Sequence, residues 1–135
     1  MPAVQPTADQ FRAFRDDPHD GPIAQVNLLK FRVRAEYADD HELHDADEPG
    51  GAAYRRYVDE FRVAAAEVGG ECALYAETER WFIGGGDWDA VLVMRFPNRS
   101  AFVSTLNHER YAEMHRHRDA GLLCQELITT RPVTD

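Results

Sequence analysis

The sequence has little positive charge and no long apolar run. Lys and Arg together number 15 against 24 Asp and Glu, so the formal net charge is −9. A chain without a basic face cannot release counterions from a phosphate backbone, and we therefore expect no binding to nucleic acid. No stretch approaches the roughly 18 consecutive apolar residues of a membrane helix, and the opening "MPAVQPTADQ" has neither a basic nor an apolar leader region. We expect a cytoplasmic protein that does not bind membranes.

Cysteine and lysine are also scarce. Cys72 and Cys124 are the only cysteines, and they lack the spacing of a metal or redox motif, which predicts free thiols. Lys30 is the only lysine and lies within "NLLKFR". A lysine whose charge is hydrated or paired with an acid is much commoner than one that forms a Schiff base. The chain has no nucleophile elbow or dinucleotide fingerprint, and "GGGD" at 84–87 separates two strand-like runs instead of opening a helix, which excludes a phosphate loop.

The order of helical and strand patterns predicts a single α+β domain over residues 1–135. Thr7 and Gln10 have the spacing of a capping box, which favours a leading helix. After that helix the order is β-α-β-β-α-β, the ferredoxin-like pattern of a four-stranded antiparallel sheet with both helices on one face. The predicted elements are helix 8–16, strand 23–31, helix 52–68, a hairpin of strand-like runs 71–84 and 88–96, a helix carrying Phe102 and Leu106, a helix at about 108–119 and a last strand at 124–131.

The sheet face away from the helices predicts a homodimer. Strand alternation places Asn27, Leu29 and Phe31 on one side and Lys30 on the other. A face carrying these apolar residues together with Tyr75 and Trp81 should be covered, because large exposed apolar patches usually mark an interface or a binding site. We therefore expect two such sheets to face each other, with Asn27 projecting into the space that they enclose.

The segment at 35–48, "AEYADDHELHDADE", is strongly acidic and lacks apolar periodicity. It contains seven acids and no base, and we expect a long surface loop at about 33–50, with a lid over a pocket as one possible role. Its His41, Glu42, His44 and Asp45 would surround a divalent ion only if the loop folded as a turn. Such sets on mobile loops are more often adventitious, so we predict no metal site.

Five segments carry a resemblance to a known family: "GPIAQVNLLKFR", "AAYRRYVDEF", "VGGECALYAE", "WDAVLVMRFPNRSAFVSTL" and "YAEMHRHRDAGLLCQELI". In order and spacing they resemble the uncharacterised family called domain of unknown function 1330. The resemblance covers roughly residues 20–130 and implies the dimeric α/β-barrel superfamily. Relatives in that superfamily include antibiotic-biosynthesis monooxygenases, polyketide cyclases and haem-degrading monooxygenases, which use the space between sheet and helices.

The haem-degrading relatives add a comparison of individual positions. They carry an asparagine on strand one, a tryptophan at the end of strand three and a histidine on the following helix. Asn27 and His115 are similar to the first and last of these, whereas Phe96 stands at the tryptophan position. The resemblance therefore implies a pocket, and haem binding or degradation stays only a second alternative.

We select Asn27 and His115 as candidate catalytic residues. An amide can donate to a developing oxyanion, and histidine is the natural acid or base near neutral pH. Tyr111, His115 and Arg118 have helical spacing and should share one face, whereas His117 lies about 200° away round the helix and is expected to be solvated. The candidate substrate-binding residues are Phe31, Tyr75, Trp81, Phe96, Tyr111 and Arg118.

These residues predict a small-molecule enzyme without a tightly held organic cofactor. Its substrate would be an aromatic or polyketide-like compound, and its reaction a cyclisation, an isomerisation or an oxygenation. The first alternative is a dimer that binds a ligand without transforming it.

Overall fold

The computed structural model describes residues 3–134 and consists of one mixed sheet-and-helix unit. Helix α1 begins at a complete capping box, in which the Thr7 side chain accepts from Gln10 N and the Gln10 side chain accepts from Thr7 N. The elements, in chain order, are α1 (Ala8–Asp16), β1 (Ile23–Phe31), α2 (Gly50–Ala66), β2 (Glu71–Glu77), β3 (Ala90–Phe96), α3 (Arg99–Leu106), α4 (Tyr111–Gly121) and β4 (Leu122–Thr130).

The sheet confirms the predicted ferredoxin-like topology. Its strand order is β2-β3-β1-β4, and every neighbouring pair is antiparallel. The strand β1 lies in the centre, with Asn27 opposite Leu92 of β3 and Leu127 of β4. Helices α2 and α4 pack against each other, and α1 is the predicted additional helix at the N-terminus.

The prediction of which face Asn27 occupies was wrong. Ile23, Gln25, Asn27 and Leu29 are the buried residues of β1, and Ile23 and Leu29 belong to the core that includes Tyr54 of α2. This alternate set therefore points towards the helices. The opposite face instead carries Val26, Val93 and Ile128 in one row and Leu74 on the edge strand.

The second strand is shorter than its β-like pattern predicted. It ends at Glu77, and residues 78–89 contain no helix or strand. Trp81 therefore lies in a loop, 38% exposed, instead of continuing the stripe begun by Tyr75. A single backbone bond, from Thr78 N to the Asp89 carbonyl, continues the pairing of β2 with β3 past the strand end.

Two glycines hold α4 close to α2. A Cβ on Gly50 would lie 2.3 Å from the Arg32 carbonyl oxygen, and one on Gly121 would lie 2.2 Å from the Gly50 carbonyl oxygen. Only glycine permits such an approach of backbone to backbone. The contact fixes the C-terminal end of α4, which carries Arg118, against the start of α2.

The acidic loop packs on α4 and α2. It was predicted as a surface loop, but some of its side chains are buried. Tyr37 and His41 are buried, and the backbone N–H of Glu36 donates to the Ala120 carbonyl. The loop is thus attached by buried side chains although its carboxylates are mostly exposed. Among residues 3–134, no helix is long and apolar enough to cross a membrane.

Candidate functional site

A cavity of about 800 Å³ lies between the sheet and the helices. Its floor is formed by β1, β3 and β4, and its walls come from α1, α2, α3 and α4. Residues 3–6, which we call the N-terminal strap, cover part of it. The residues that line the cavity include Val4, Gln5, Gln25, Asn27, Tyr54, Tyr57, Phe61, Tyr111, His115, Arg118 and Gln125.

His115 is oriented by hydrogen bonds to both ring nitrogens. Its Nδ1 lies 3.1 Å from Oδ2 of Asp119, one helical turn later. Its Nε2 lies 3.1 Å from Nε2 of Gln5 and 3.3 Å from an NH1 of Arg118. Since a guanidinium can only donate, Nε2 of His115 must accept, and the ring proton therefore lies on Nδ1. His115 is neutral in this arrangement, with its basic nitrogen on the cavity side.

Burial and charge together set the basicity of His115. Burial lowers the pKa of the imidazole below its ordinary value because the charged form loses hydration, and Arg118 lowers it further. The carboxylate of Asp119 acts in the opposite direction and raises it. Because the net direction is down, the ring is a neutral base at pH 7. Sequence reasoning missed Asp119, although its i,i+4 spacing from His115 was a usable signal.

Arg118 is a buried cation at the same site. It is only 6% exposed, and its guanidinium donates to the Val4 carbonyl of the strap and to Nε2 of His115. No carboxylate within residues 3–134 forms an ion pair with it. A buried guanidinium without a carboxylate partner is unusual, since buried charges are normally paired.

Asn27 lines the cavity, but its amide N–H groups are already used. Nδ2 of Asn27 donates to the carbonyl of Gln25 at 3.3 Å and to the carbonyl of Leu92 at 3.1 Å. These two acceptors fix the orientation of the amide, so its oxygen is the atom left for a ligand. The geometry therefore does not support the predicted role of Asn27 as an oxyanion donor, and Arg118 is the donor that the cavity offers.

Tyrosine hydroxyls make the cavity wall amphipathic. Tyr54 and Tyr57 of α2 lie with ring centroids 5.3 Å apart, and Tyr111 of α4 lies 6.5 Å from Tyr57. Burial raises the pKa of Tyr54 and of Tyr57 well above the ordinary value, because the phenolate would lose its hydration. Both hydroxyls thus remain protonated and can bind a ligand as donor or acceptor.

The structure brings together Asn27, Tyr111, His115 and Arg118, but not the other predicted binding residues. Phe31 packs on Tyr54 outside the cavity lining, with ring centroids 5.4 Å apart. Phe96 is 2% exposed and lies in the core against Phe61 and Phe102, so it is not a cavity wall. Tyr75 lies 6.3 Å from Tyr54, and burial raises the pKa of its hydroxyl to about 12. Trp81 lies in the loop at 78–89, away from the lining.

The N-terminal strap was not recognised as part of the site from the sequence. The Ala3 carbonyl accepts from Gln125 N at 2.8 Å, and Val4 and Gln5 bind Arg118 and His115. No residue of the acidic loop lines the cavity, so the lid role considered for that loop does not fit this structure. The strap has that position instead.

A second histidine cluster lies beneath the acidic loop. His41, Glu113 and His117 place one potential ligand atom each within 4.8 Å of one another. However, Nδ1 of His41 accepts from Leu43 N at 3.0 Å, which leaves the proton on Nε2, the atom facing Glu113 at 3.3 Å. A metal bound there would have to displace that proton.

Hydrogen bonds within the cluster also hold the ring of His117, so the expectation that it is solvated was wrong. The hydroxyl of Tyr37 accepts from Arg56 at 3.0 Å, and the only acceptor for its own proton among residues 3–134 is Nδ1 of His117 at 2.7 Å, so we assign the proton to that bond. The remaining proton of neutral His117 therefore lies on Nε2. The cluster is a set of paired side chains that fastens the loop to α4.

Lys30 behaves as predicted. Its ammonium lies 3.0 Å from Asp87 and 3.4 Å from Asp89, on the sheet face opposite to Asn27. These two carboxylates raise its pKa, whereas a Schiff-base lysine needs a lowered one.

Comparisons with known proteins support the fold of this chain but do not show its activity. No family model matches the chain, and no curated protein matches it. A protein of unknown function from Rhodopseudomonas palustris has a similar structure, with a TM-score of 0.85, 29% identity and 100% of both chains covered. The similarity thus extends over the whole chain, including the strap and α1.

Two more distant solved structures share the fold alone. One is a dimeric protein of unknown function with a ferredoxin-like fold from Bacteroides fragilis, with a TM-score of 0.52, 11% identity and coverage of 83% of this chain and 97% of that one. The other is SnoaB, a cofactor-independent oxygenase from Streptomyces nogalater, with a TM-score of 0.51, 12% identity and coverage of 84% and 96%. The chain therefore has the ferredoxin-like fold of these dimeric and related proteins.

Proposed function

We propose that the protein is a small-molecule enzyme that acts without a tightly held organic cofactor on an aromatic or polyketide-like compound. The observation that carries this proposal is the state of His115: Asp119 holds its Nδ1 proton, and its unprotonated Nε2 borders a large cavity with aromatic walls. Such a cavity volume is typical of sites for small organic ligands. The reaction is a cyclisation, an isomerisation or an oxygenation.

The proposed first step is a proton transfer to His115. A C–H or O–H bond of the substrate breaks, its proton moves to Nε2, and the electron pair stays on the substrate as an enolate or phenolate. Arg118, with NH1 3.3 Å from that nitrogen, lies where the new anion forms. A fixed donor in a site with little water stabilises such an anion strongly. SnoaB supports the proposal only to the extent that its fold is similar and it is a cofactor-independent oxygenase.

The test is to incubate the protein with a panel of aromatic and polyketide-like compounds and to identify products by mass spectrometry. We expect a product with the wild-type protein and a large loss of it with His115→Gln. His108→Gln is the matched control, because His108 pairs with Glu67 at the surface and lies outside the cavity lining. Full turnover by His115→Gln would contradict the assigned role.

A non-catalytic ligand-binding protein is the alternative that a specific observation favours. The strap already binds both His115 and Arg118, which is compatible with a closed carrier. Recovery of only intact ligand after prolonged incubation would support this alternative over the enzyme.

Haem handling is the weaker alternative. An iron bound to Nε2 of His115 would have to displace both Gln5 and Arg118 from that nitrogen. The residues as arranged therefore do not fit haem, and a titration without a Soret shift would exclude it.

We further propose that the protein is a homodimer in which two sheets face each other. The apolar face carries Leu74, 50% exposed, and Ile128, 48% exposed, in addition to Val26 and Val93. Such a face is typical of an interface, and one fold neighbour is dimeric. Light scattering should give twice the mass of one chain, and Leu74→Glu should reduce it. Val63→Glu, on the exposed side of α2, is the control that should keep the dimer.

Membership of the family domain of unknown function 1330 is likewise a proposal. It is supported by the five sequence segments and by the ferredoxin-like fold. A search with a model built from close homologues of this chain would test it.

A further inference from the structure

The charge of Arg118 is the feature of the cavity that the proposed reaction does not fully use. A guanidinium has five N–H donors, yet this one binds only the Val4 carbonyl and Nε2 of His115 among residues 3–134. It is 6% exposed, so water compensates little of its charge. Burying a cation without a counter-charge costs much more than burying a paired one. A permanent anion in the cavity would remove this cost.

The Val4 carbonyl marks the position where such an anion would bind. It is a neutral acceptor on the strap, and it occupies the NH2 side of the guanidinium. A carboxylate accepts two parallel N–H bonds from a guanidinium, and these charged bonds are roughly twice as strong as neutral ones. A ligand carboxylate would therefore compete well with Val4 for Arg118.

Few polar contacts attach the strap to the rest of the protein. Apart from the Val4 contact, its polar attachments are the bond from Gln125 N to the Ala3 carbonyl and the bond between Gln5 and His115. Displacing Gln5 also removes one of the two donors to Nε2 of His115, and a carboxylate on Arg118 would compete for the other, so that Nε2 becomes available for the proposed proton transfer. The same movement would thus admit an acid and expose the base.

Gln25 adds a second polar requirement on the cavity floor. Its side chain lines the cavity and is 2% exposed, yet Oε1 has no hydrogen-bond partner within residues 3–134. A buried amide oxygen is normally paired. Its neighbour Asn27 cannot supply a donor, because both of its N–H groups bind backbone carbonyls. A ligand hydroxyl would satisfy the Gln25 amide, since a hydroxyl can donate or accept.

The walls between these polar groups are suited to an aromatic ring. Tyr54, Tyr57, Phe61 and Tyr111 contribute flat faces to the lining. Aromatic pairs prefer offset or edge-to-face contacts, which such an arrangement can provide to an incoming ring.

We propose that the cavity takes an aromatic hydroxy-carboxylic acid, whose carboxylate replaces the Val4 carbonyl on Arg118 and whose hydroxyl pairs with the amide of Gln25. This rests on the proposed function, because it names the substrate class of the same cavity. Arg118 is then a specificity-determining residue that selects acids over their neutral derivatives.

The test is calorimetric titration of the full-length protein with para-coumarate, its methyl ester and cinnamate. The ester removes the charge, and cinnamate removes the hydroxyl. We expect para-coumarate to bind roughly 10- to 100-fold more tightly than the ester, as charged hydrogen bonds do over neutral ones. Arg118→Gln should abolish this preference for the acid over the ester. The wild-type protein should also bind para-coumarate more tightly than cinnamate, and Gln25→Met should remove that difference. Arg116→Gln, on the same helix but paired with Asp40 outside the cavity lining, should keep both.

If Arg118→Gln does not fold, Arg118→Lys replaces it in the test, because lysine keeps the positive charge. Arg118→Lys should retain part of the preference for the acid over the ester. Equal binding of acid and ester to the wild-type protein, an unchanged preference in Arg118→Gln, or no binding of any probe at millimolar concentration would overturn the inference. Equal binding of the acid and the ester would leave the proposed enzyme intact, because its own test is the loss of turnover in His115→Gln.

Discussion

His115 and His117 lie two residues apart on α4, and their surroundings differ in almost every respect. Burial lowers the pKa of both imidazoles. His115 carries its proton on Nδ1, towards Asp119, and its unprotonated Nε2 accepts from Gln5 and Arg118 on the cavity side. His117 accepts from Tyr37 at Nδ1 and so carries its proton on Nε2, within the cluster under the acidic loop.

Burial and a lowered pKa therefore do not by themselves mark a catalytic histidine. What separates the two is the tautomer and the neighbouring space. The partners of His117 are side chains packed in the cluster of Tyr37 and His41, whose rings stack 4.5 Å apart. One partner of His115 belongs to the strap, which a ligand can displace. In the proposed function, the same residue type thus serves as a base on one side of the helix, whereas on the other side it attaches the acidic loop to α4.

The largest expected effect is on turnover. Once a substrate has been identified, His115→Gln should lower kcat/KM by about 10²- to 10⁴-fold, the usual contribution of a positioned general base. His117→Gln should change it only a few-fold, since His117 does not line the cavity. Steady-state kinetics on both variants measure this contrast. Equal losses of kcat/KM in His115→Gln and His117→Gln would contradict the proposed difference between the two histidines.

The second largest effect is on the free energy of unfolding. Here a substitution in the cluster around His117 should cost more than one in the cavity around His115. Tyr37→Ala removes a ring that is 7% exposed, stacks on His41 and binds His117 and Arg56. We expect the free energy of unfolding to fall by about 3 kcal/mol, as for other buried aromatic truncations. Urea denaturation measures it, with Tyr111→Phe in the cavity as a control that should lose much less. A larger loss in the control would mean that the cavity side, not the cluster, stabilises α4.

Asp119→Asn should produce a smaller change in the pH dependence of the reaction. A general base must be neutral, so the rate should rise with pH through the lowered pKa of His115 and then reach a plateau. Asp119 raises that pKa, so its loss should move the rising limb to lower pH and reduce the plateau. Rate profiles of the two proteins test this. A limb that moves to higher pH would contradict the assigned role of Asp119.

The smallest effect concerns the dependence of the free energy of unfolding on pH. The pKa of His115 and of His117 is lower in the folded than in the unfolded protein, so the unfolded chain binds more protons just below the ordinary histidine pKa. Their contribution to stability is therefore present above about pH 6.5 and is lost as pH falls through the folded values. His117→Gln should make the loss shallower in denaturation measured at several pH values. An unchanged slope would show that His117 is not buried in the neutral form.

Much of the fold was predictable from the sequence, because it depends on local patterns. The capping box of Thr7 and Gln10, the alternation along β1 and the helical spacing of Tyr111, His115 and Arg118 are all present in the structure. The orientation of the sheet was not predictable in this way. Alternation separates two faces of a strand, but with Leu29 on one and Val26 on the other it cannot say which one meets the helices.

The site was predictable only in part, because its other components come from distant parts of the chain. Val4 and Gln5 meet α4 through contacts across more than a hundred residues, and no local spacing signals such a contact. Phe96 and Phe31 were selected as walls because they are aromatic, a property that a core residue shares. Asp119, by contrast, could have been found from its spacing to His115.

The most direct test of the central claim is the protonation of the histidine rings in the free protein. Long-range proton–nitrogen NMR correlations at about pH 7.5, above the ordinary histidine pKa, assign each neutral ring to one tautomer. We expect His115 to be neutral with its proton on Nδ1, and His117 to be neutral with its proton on Nε2. A charged His115, or a His115 ring with its proton on Nε2, would leave no lone pair facing the cavity and would contradict the account.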